Sequence, residues 1–139
     1  MDKKKILFVC THNSSRSQIA EGLLNHLFGN KYEAFSAGTQ PGGVNKYAVE
    51  ALKETGIDIS FHKSENIIKY LDINFDYVIT VCDSAKETCS YFPNGKIFIH
   101  KSFTDPSAAN GSEEEILQVF RNVRDQIKDF IIETFGNND

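Results

Sequence analysis

The chain has 139 residues, 40% of them apolar and 24% charged, with three cysteines, no tryptophan and a formal net charge of −4. A single domain of this size buries roughly two thirds of the surface its unfolded chain exposes, so a core forms without disulfide or metal staples. Acids (19) outnumber bases (15), and the bases cluster only at Lys3, Lys4 and Lys5, which argues against a nucleic-acid groove.

The longest apolar runs, Ile6 to Cys10 and Tyr77 to Val81, fall far short of the ~20 residues that span a bilayer. The apolar stretch after Lys5 ends in the polar run Thr11 to Ser17, which is not the pattern of a signal peptide. The expectation is a monomeric cytoplasmic protein whose thiols stay reduced. Three cysteines, an odd number, then point to nucleophilic or redox chemistry instead of a disulfide framework.

In chain order, Lys4 to Cys10 reads as a strand apolar on both faces, as a buried parallel strand requires. Polar Thr11 to Ser15 follow, and Ile19, Leu23 and Leu27 then recur every four residues up to Gly29, the pattern of a helix with a terminal glycine. Tyr32 to Ala37 reads as a second strand. Gly38, Pro41, Gly42 and Gly43 make a turn-rich loop, Val44 to Thr55 is helical and stopped by Gly56, and Glu65 to Leu71 is a further helical stretch. Phe75 to Cys82 and Lys96 to His100 read as strands three and four, the latter after the Pro93-Asn94-Gly95 turn. The last helix is announced by Ser112 and Glu115, spaced for a capping box, and by an apolar stripe of Ile116, Phe120, Val123, Ile127, Phe130 and Ile131.

Strands separated by helices imply one α/β domain over residues 1–139: a four-stranded parallel sheet of order 2-1-3-4, flavodoxin-like, with helices on both faces. Ligands in such sheets bind beyond the carboxyl ends of the strands where the order reverses, here between strands one and three. Cys10 and Cys82 end those two strands in this reading. With neighbouring strands ~4.8 Å apart, they are expected to face one crevice.

Where strand one hands over to the first helix, Cys10-Thr11-His12-Asn13-Ser14-Ser15-Arg16-Ser17 carries a C-x5-R spacing. A short loop at that point turns backbone N–H groups inward and adds the positive end of the helix dipole, a cradle for an oxyanion built from residues 11 to 16. Arg16 supplies a permanently charged planar fork for two oxygens of a tetrahedral anion. The same environment favours the thiolate of Cys10, a nucleophile aimed at the anion's central atom, and Ser17 can hydrogen-bond that sulfur.

The loop and following helix, through Gln18-Ile19-Ala20-Glu21-Gly22, resemble those of the low-molecular-weight tyrosine phosphatase fold, and specifically of the thioredoxin-coupled arsenate reductases. Ser36-Ala37-Gly38, Asp58-Ile59-Ser60, Thr80-Val81-Cys82 and Asp105-Pro106 match as well, so the resemblance covers nearly the whole chain. Two departures stand in the loop: His12 where the family usually has Gly, and Ser15 where it often has Cys. Because His tolerates a positive φ, the loop is expected to keep its shape.

The resemblance implies a set of roles. Asp105 would be the general acid that protonates the leaving oxygen. Cys82 and Cys89 would complete a thiol relay: Cys10 attacks arsenate, Cys82 attacks Cys10 to release arsenite and leave a Cys10–Cys82 disulfide, and Cys89 attacks Cys82 to leave a Cys82–Cys89 disulfide for thioredoxin. Were residues 83–89 helical, the α-carbons of Cys82 and Cys89 would stand roughly 10 Å apart, beyond the ~7 Å a disulfide allows, so that segment would have to unwind on oxidation.

No tightly bound cofactor is expected beyond a potassium ion at Asn13, Glu21, Ser36 and Glu65, the last being Asp in the relatives that bind one. Weak residual phosphatase activity is expected beside the reductase activity, and the alternative reading is a tyrosine phosphatase with Cys10 as nucleophile and Asp105 as general acid. Ser107-Ala108-Ala109 replace the tyrosine that phosphatases usually carry after the Asp-Pro pair, leaving no aromatic wall for an aryl substrate. A third class is a non-enzymatic module that binds an oxyanion or senses redox state. The histidines His12, His26, His62 and His100 have no metal-ligand spacing with the cysteines, so zinc is not expected.

Overall fold

Alternate residues of the first strand serve two different cores, which is why it is apolar throughout. In the computed structural model, which describes residues 2–83 and 92–136, β1 (Lys4–Val9) lies between β2 (Tyr32–Ala37) and β3 (Phe75–Thr80), with β4 (Gly95–His100) at the edge. All three pairings are parallel, in the order β2-β1-β3-β4.

Ile6 and Phe8 face a core shared with α1 (Arg16–Phe28), α2 (Lys46–Lys53) and α3 (Glu113–Phe135). Leu7 and Val9 face the other side, where Ile67, Tyr70 and Phe92 cover Ala37, Phe75 and Val78. There Phe75 packs edge-on against Phe35, Tyr70 and Phe92, with centroids 5.6, 6.0 and 5.6 Å apart. Each fully buried side chain of this size contributes about 1.5–3 kcal/mol, so the central strand is pinned from both faces.

The helix boundaries follow local chemistry. Ser112 and Glu115 form the expected capping box, each side chain bonded to the other's backbone N–H at 3.1 Å. The buried stripe of α3 is Phe120, Val123, Ile127, Ile131 and Phe135, while Ile116 and Phe130 are only partly covered. The second helix starts later than its apolar spacing predicts, because Asn45 Oδ1 caps it by accepting from Tyr47 N at 2.8 Å. After it, Gly56 turns at φ 86°. The helical stretch expected over Glu65 to Leu71 is a single 3-10 turn, Ile67–Tyr70, capped by Asn66.

Two of the predicted strands are too long at their carboxyl ends. β1 stops at Val9 and β3 at Thr80, because Cys10 leaves the ladder to begin the loop. Its N–H still reaches Ala37 O at 3.2 Å, and Val81 N reaches Val9 O at 2.9 Å. No helix among the described residues is long and apolar enough to cross a membrane. Cys89 and most of the 83–89 segment lie outside the described residues.

Candidate active site

Cys10 leaves the central strand at the point where neighbouring connections run to opposite sides, and its side chain joins the core face of Ile6 and Phe8. The loop after it is held by its carbonyls. Thr11 O accepts from Gln40 N (3.0 Å), His12 O from Gly42 N (3.0 Å) and Ser14 O from Asn45 N (2.9 Å). Asn13 O accepts from Ser64 Oγ (2.7 Å) and Gln18 Nε2 (3.1 Å). Peptide groups are planar, so carbonyls drawn outward to these partners turn the N–H edges toward the interior of the loop, a geometry that suits an anion.

One residue of the loop takes a left-handed backbone, Asn13 at φ 49°. The expectation that His12 would need a positive φ is therefore corrected. Asn visits that region readily and His12 stays at negative φ, so nothing in the backbone demands glycine at position 12. Fully buried, Asn13 also fastens the loop from within. Its Oδ1 accepts from Glu65 N (2.8 Å) and Gln18 Nε2 (3.0 Å), and its Nδ2 donates to Ser17 Oγ (2.7 Å).

Cys10 is a free, buried thiol whose Sγ lies 2.8 Å from Ser17 Oγ. Arg16 is 3% exposed; its Nη1 donates to Phe103 O (3.2 Å) and its Nη2 stands 3.7 Å from Asp105 Oδ2. A cavity of about 130 Å³ opens above the thiol, lined by Cys10, His12, Ser14, Ser15, Arg16, Gly42, Asp105 and Ser107. The buried hydroxyl of Ser15 has no hydrogen-bond partner in the protein, and a buried polar group in that state marks a place where a ligand completes the bonding.

The two carboxyl oxygens of Asp105 face different partners. Its Oδ1 caps the short Pro106–Ala108 turn, accepting from Ser107 N (3.0 Å) and Ser107 Oγ (2.7 Å). The other carboxyl oxygen is turned to Arg16 at the cavity mouth.

Of the two cysteines among the described residues, Cys10 lines this cavity and Cys82 does not. Cys82 is fully buried two residues beyond the end of β3, the strand adjoining β1, and is disulfide-bonded.

Behind the loop the fold gathers Asn13, Glu21, Ser36 and Glu65. Ser36 Oγ donates to Glu21 Oε1 at 2.5 Å, and the Glu65 carboxylate engages the Lys69 ammonium. Burial above all, and the charge of Glu65, push the Glu21 carboxyl up to about 7 despite the Ser36 bond. Carboxylate, amide and hydroxyl oxygens suit a hard cation, not a transition metal, although Lys69 already engages the Glu65 carboxylate; among the described residues no cluster of three or more His, Cys, Asp or Glu is set to hold a metal.

Sequence reasoning missed Gln18 and His62. His62 Nδ1 lies 3.0 Å from Gln18 Oε1 and its Nε2 3.6 Å from Glu21 Oε2. No spacing in the chain links them, because positions 18 and 62 meet only through the fold.

The family model described as low molecular weight phosphotyrosine protein phosphatase matches residues 5–136. An arsenate reductase of Halalkalibacterium halodurans is 46% identical over 91% of this chain and 91% of its own length. Arsenate reductase 1 of Staphylococcus epidermidis is 43% identical over 99% and 98%. Among solved structures, an arsenate reductase in the phosphate-binding state superposes with a TM-score of 0.82 at 32% identity, covering 98% of this chain and 99% of that one. A thiol under an inward-facing amide loop, a buried arginine, an Asp-Pro carboxylate at the mouth and these likenesses agree on one conclusion: the chain belongs to the low molecular weight phosphotyrosine protein phosphatase family.

Proposed function

We propose that the chain is a cytoplasmic arsenate reductase that passes its oxidation to thioredoxin through a relay of Cys10, Cys82 and Cys89. The observation that carries this reading over phosphatase chemistry is the division of the thiols. Cys10 is free at the base of the cavity while Cys82, just past the end of the adjoining strand, is disulfide-bonded. Phosphate-ester hydrolysis needs no second sulfur. The names of the relatives supply the substrate, since arsenate and phosphate are both tetrahedral oxyanions.

In the first step the Cys10 thiolate attacks arsenic, with Arg16 and the loop amides of residues 11–16 balancing the oxygens and Asp105 protonating the departing hydroxyl to water. Cys82 thiolate then attacks the Cys10 sulfur; the As–S electron pair passes to arsenic, arsenite leaves, and Cys10–Cys82 is the disulfide formed. Cys89 attacks Cys82, freeing Cys10 and forming Cys82–Cys89, which a thioredoxin dithiol reduces by exchange. A potassium ion, held by Asn13, Glu21, Ser36 and Glu65, would supply positive charge beside the loop.

The test is arsenite production coupled to thioredoxin, thioredoxin reductase and NADPH. Activity lost in Cys82→Ser and in Cys89→Ser, with aryl-phosphate hydrolysis persisting weakly, supports the proposal. Robust phosphatase turnover indifferent to both substitutions, without arsenite, would replace it with the phosphatase reading.

A further inference from the structure

The mouth of the anion cavity carries an imidazole that the steps above leave unused. His12 is exposed and lines the cavity beside Asp105 and Ser107. Its backbone is tied down by Gly42 N–H donating to His12 O, and its ring by Nδ1, 3.0 Å from Gln40 O. A carbonyl oxygen can only accept, so Nδ1 carries the hydrogen. In the neutral ring the other nitrogen, Nε2, then holds a lone pair and no proton, and is an acceptor.

Asp105 Oδ2 at the mouth is turned to Arg16 and serves the proposed reaction as a proton donor; the loop amides, the Arg16 guanidinium and the Ser15 hydroxyl are donors as well. Donors read negative oxygen, and every phosphate-like dianion presents that. Near neutral pH an inorganic arsenate or phosphate dianion also keeps one hydroxyl, whereas a monoester dianion has carbon in its place and nothing to donate. An acceptor at the mouth can tell the two apart.

The geometry points to His12 as the specificity-determining residue of this cavity: its Nε2 accepts the hydrogen bond of the oxyanion's own hydroxyl and so favours free oxyanions over their esters. A glycine at this position, as the family resemblance expects, would offer neither the ring nor the acceptor. The inference rests on the loop being the oxyanion site of the proposed reaction, and it makes His12 a binding residue that supplements Arg16.

Protection of Cys10 from iodoacetamide, read by mass spectrometry of the Cys10 peptide, reports anion affinity without turnover. Inorganic phosphate and methyl phosphate are compared at one pH. The expected result is protection by phosphate at roughly tenfold lower concentration, about the worth of one hydrogen bond. That preference falls to about one in His12→Phe, which keeps a ring but no acceptor, and survives in part in His12→Gln, whose amide oxygen accepts.

A preference unchanged in His12→Phe, or absent from the unaltered protein, overturns the inference. Failure to produce arsenite while the phosphate preference behaves as described would instead remove the proposed reaction and leave His12 its role.

Discussion

The Ser17 hydroxyl stands 2.8 Å from the Cys10 sulfur, within hydrogen-bond reach of it. The distance alone leaves either atom as donor. Asn13 Nδ2 donates to Ser17 Oγ at 2.7 Å and takes up one of its two lone pairs, and once Cys10 is a thiolate it has no hydrogen to give, so the Ser17 hydroxyl is then the donor. A donor aimed at sulfur stabilises the thiolate over the thiol. Ser17→Ala removes that bond and is expected to slow alkylation of Cys10 at pH 7 about tenfold, a loss on the scale of one bond to a charged group. Pseudo-first-order labelling checks this, with circular dichroism to confirm the fold.

Asp105→Asn separates acid catalysis from turn formation. An amide oxygen at the same position still accepts from Ser107 N and Ser107 Oγ, as Asp105 Oδ1 does now, but the side chain can no longer deliver a proton. Steady-state kcat for arsenate is expected to drop by about 10²–10⁴. The Tm should move by no more than a few degrees, and a collapse in Tm with intact single-turnover chemistry would reassign Asp105 to structure.

Glu21 makes stability depend on pH in a direction set by its burial. Its carboxyl is raised from 4.5 to about 7, first by desolvation and then by Glu65. The folded state therefore holds a proton that the unfolded state has released between about 4.5 and 7. The stabilising contribution is complete below 4.5, is lost as pH rises through about 7, and amounts to on the order of 3 kcal/mol. Burial of His62 lowers its imidazole and acts oppositely, costing stability as pH falls below its ordinary value of 6.5. Glu21→Gln keeps an oxygen for Ser36 and abolishes the first effect, so its Tm relative to the parent should rise by several degrees from pH 5 to pH 8. If potassium occupies the cluster, potassium chloride will narrow that difference at pH 8 more than choline chloride of equal ionic strength.

Gly38 is required by close approach. A β-carbon there would lie 2.4 Å from Thr11 O and 2.7 Å from Cys10 O, backbone atoms that cannot rotate away. Gly38→Ala should cost about 1–3 kcal/mol and weaken phosphate protection of Cys10, because the clash displaces the anion loop itself. Gly42→Ala is the control: its β-carbon would meet only His12 Cβ, at 3.8 Å. Thermal melts and anion titration of the two variants should diverge accordingly.

Much of this was legible in the residues. The alternation of apolar runs and helical stripes yielded four parallel strands in the order observed, and the Ser112–Glu115 box marked the start of α3 to the residue. Boundaries failed where a single side chain or a functional turn outweighed periodicity: Asn45 shortens α2, and Cys10 leaves β1 early to start the loop. The crevice expected to unite Cys10 and Cys82 is shared at the level of adjoining strands, yet the anion cavity is lined by Cys10 and not Cys82.

By itself the sequence located the loop between Cys10 and Arg16, because a C-x5-R spacing after a buried strand is a local pattern that local geometry converts directly into a turn of inward-facing amides, and the resemblance pointed to the Asp-Pro carboxylate. Only the tertiary structure decided how that loop is held and tuned. Asn13 at φ 49°, the strap of residues 40–45, the Gln18–His62–Glu21 contacts and the place of His12 at the mouth join residues as many as 52 positions apart. Hydrogen bonds depend on distance and direction in space, and no pattern along a chain records which distant groups folding will bring within 3 Å.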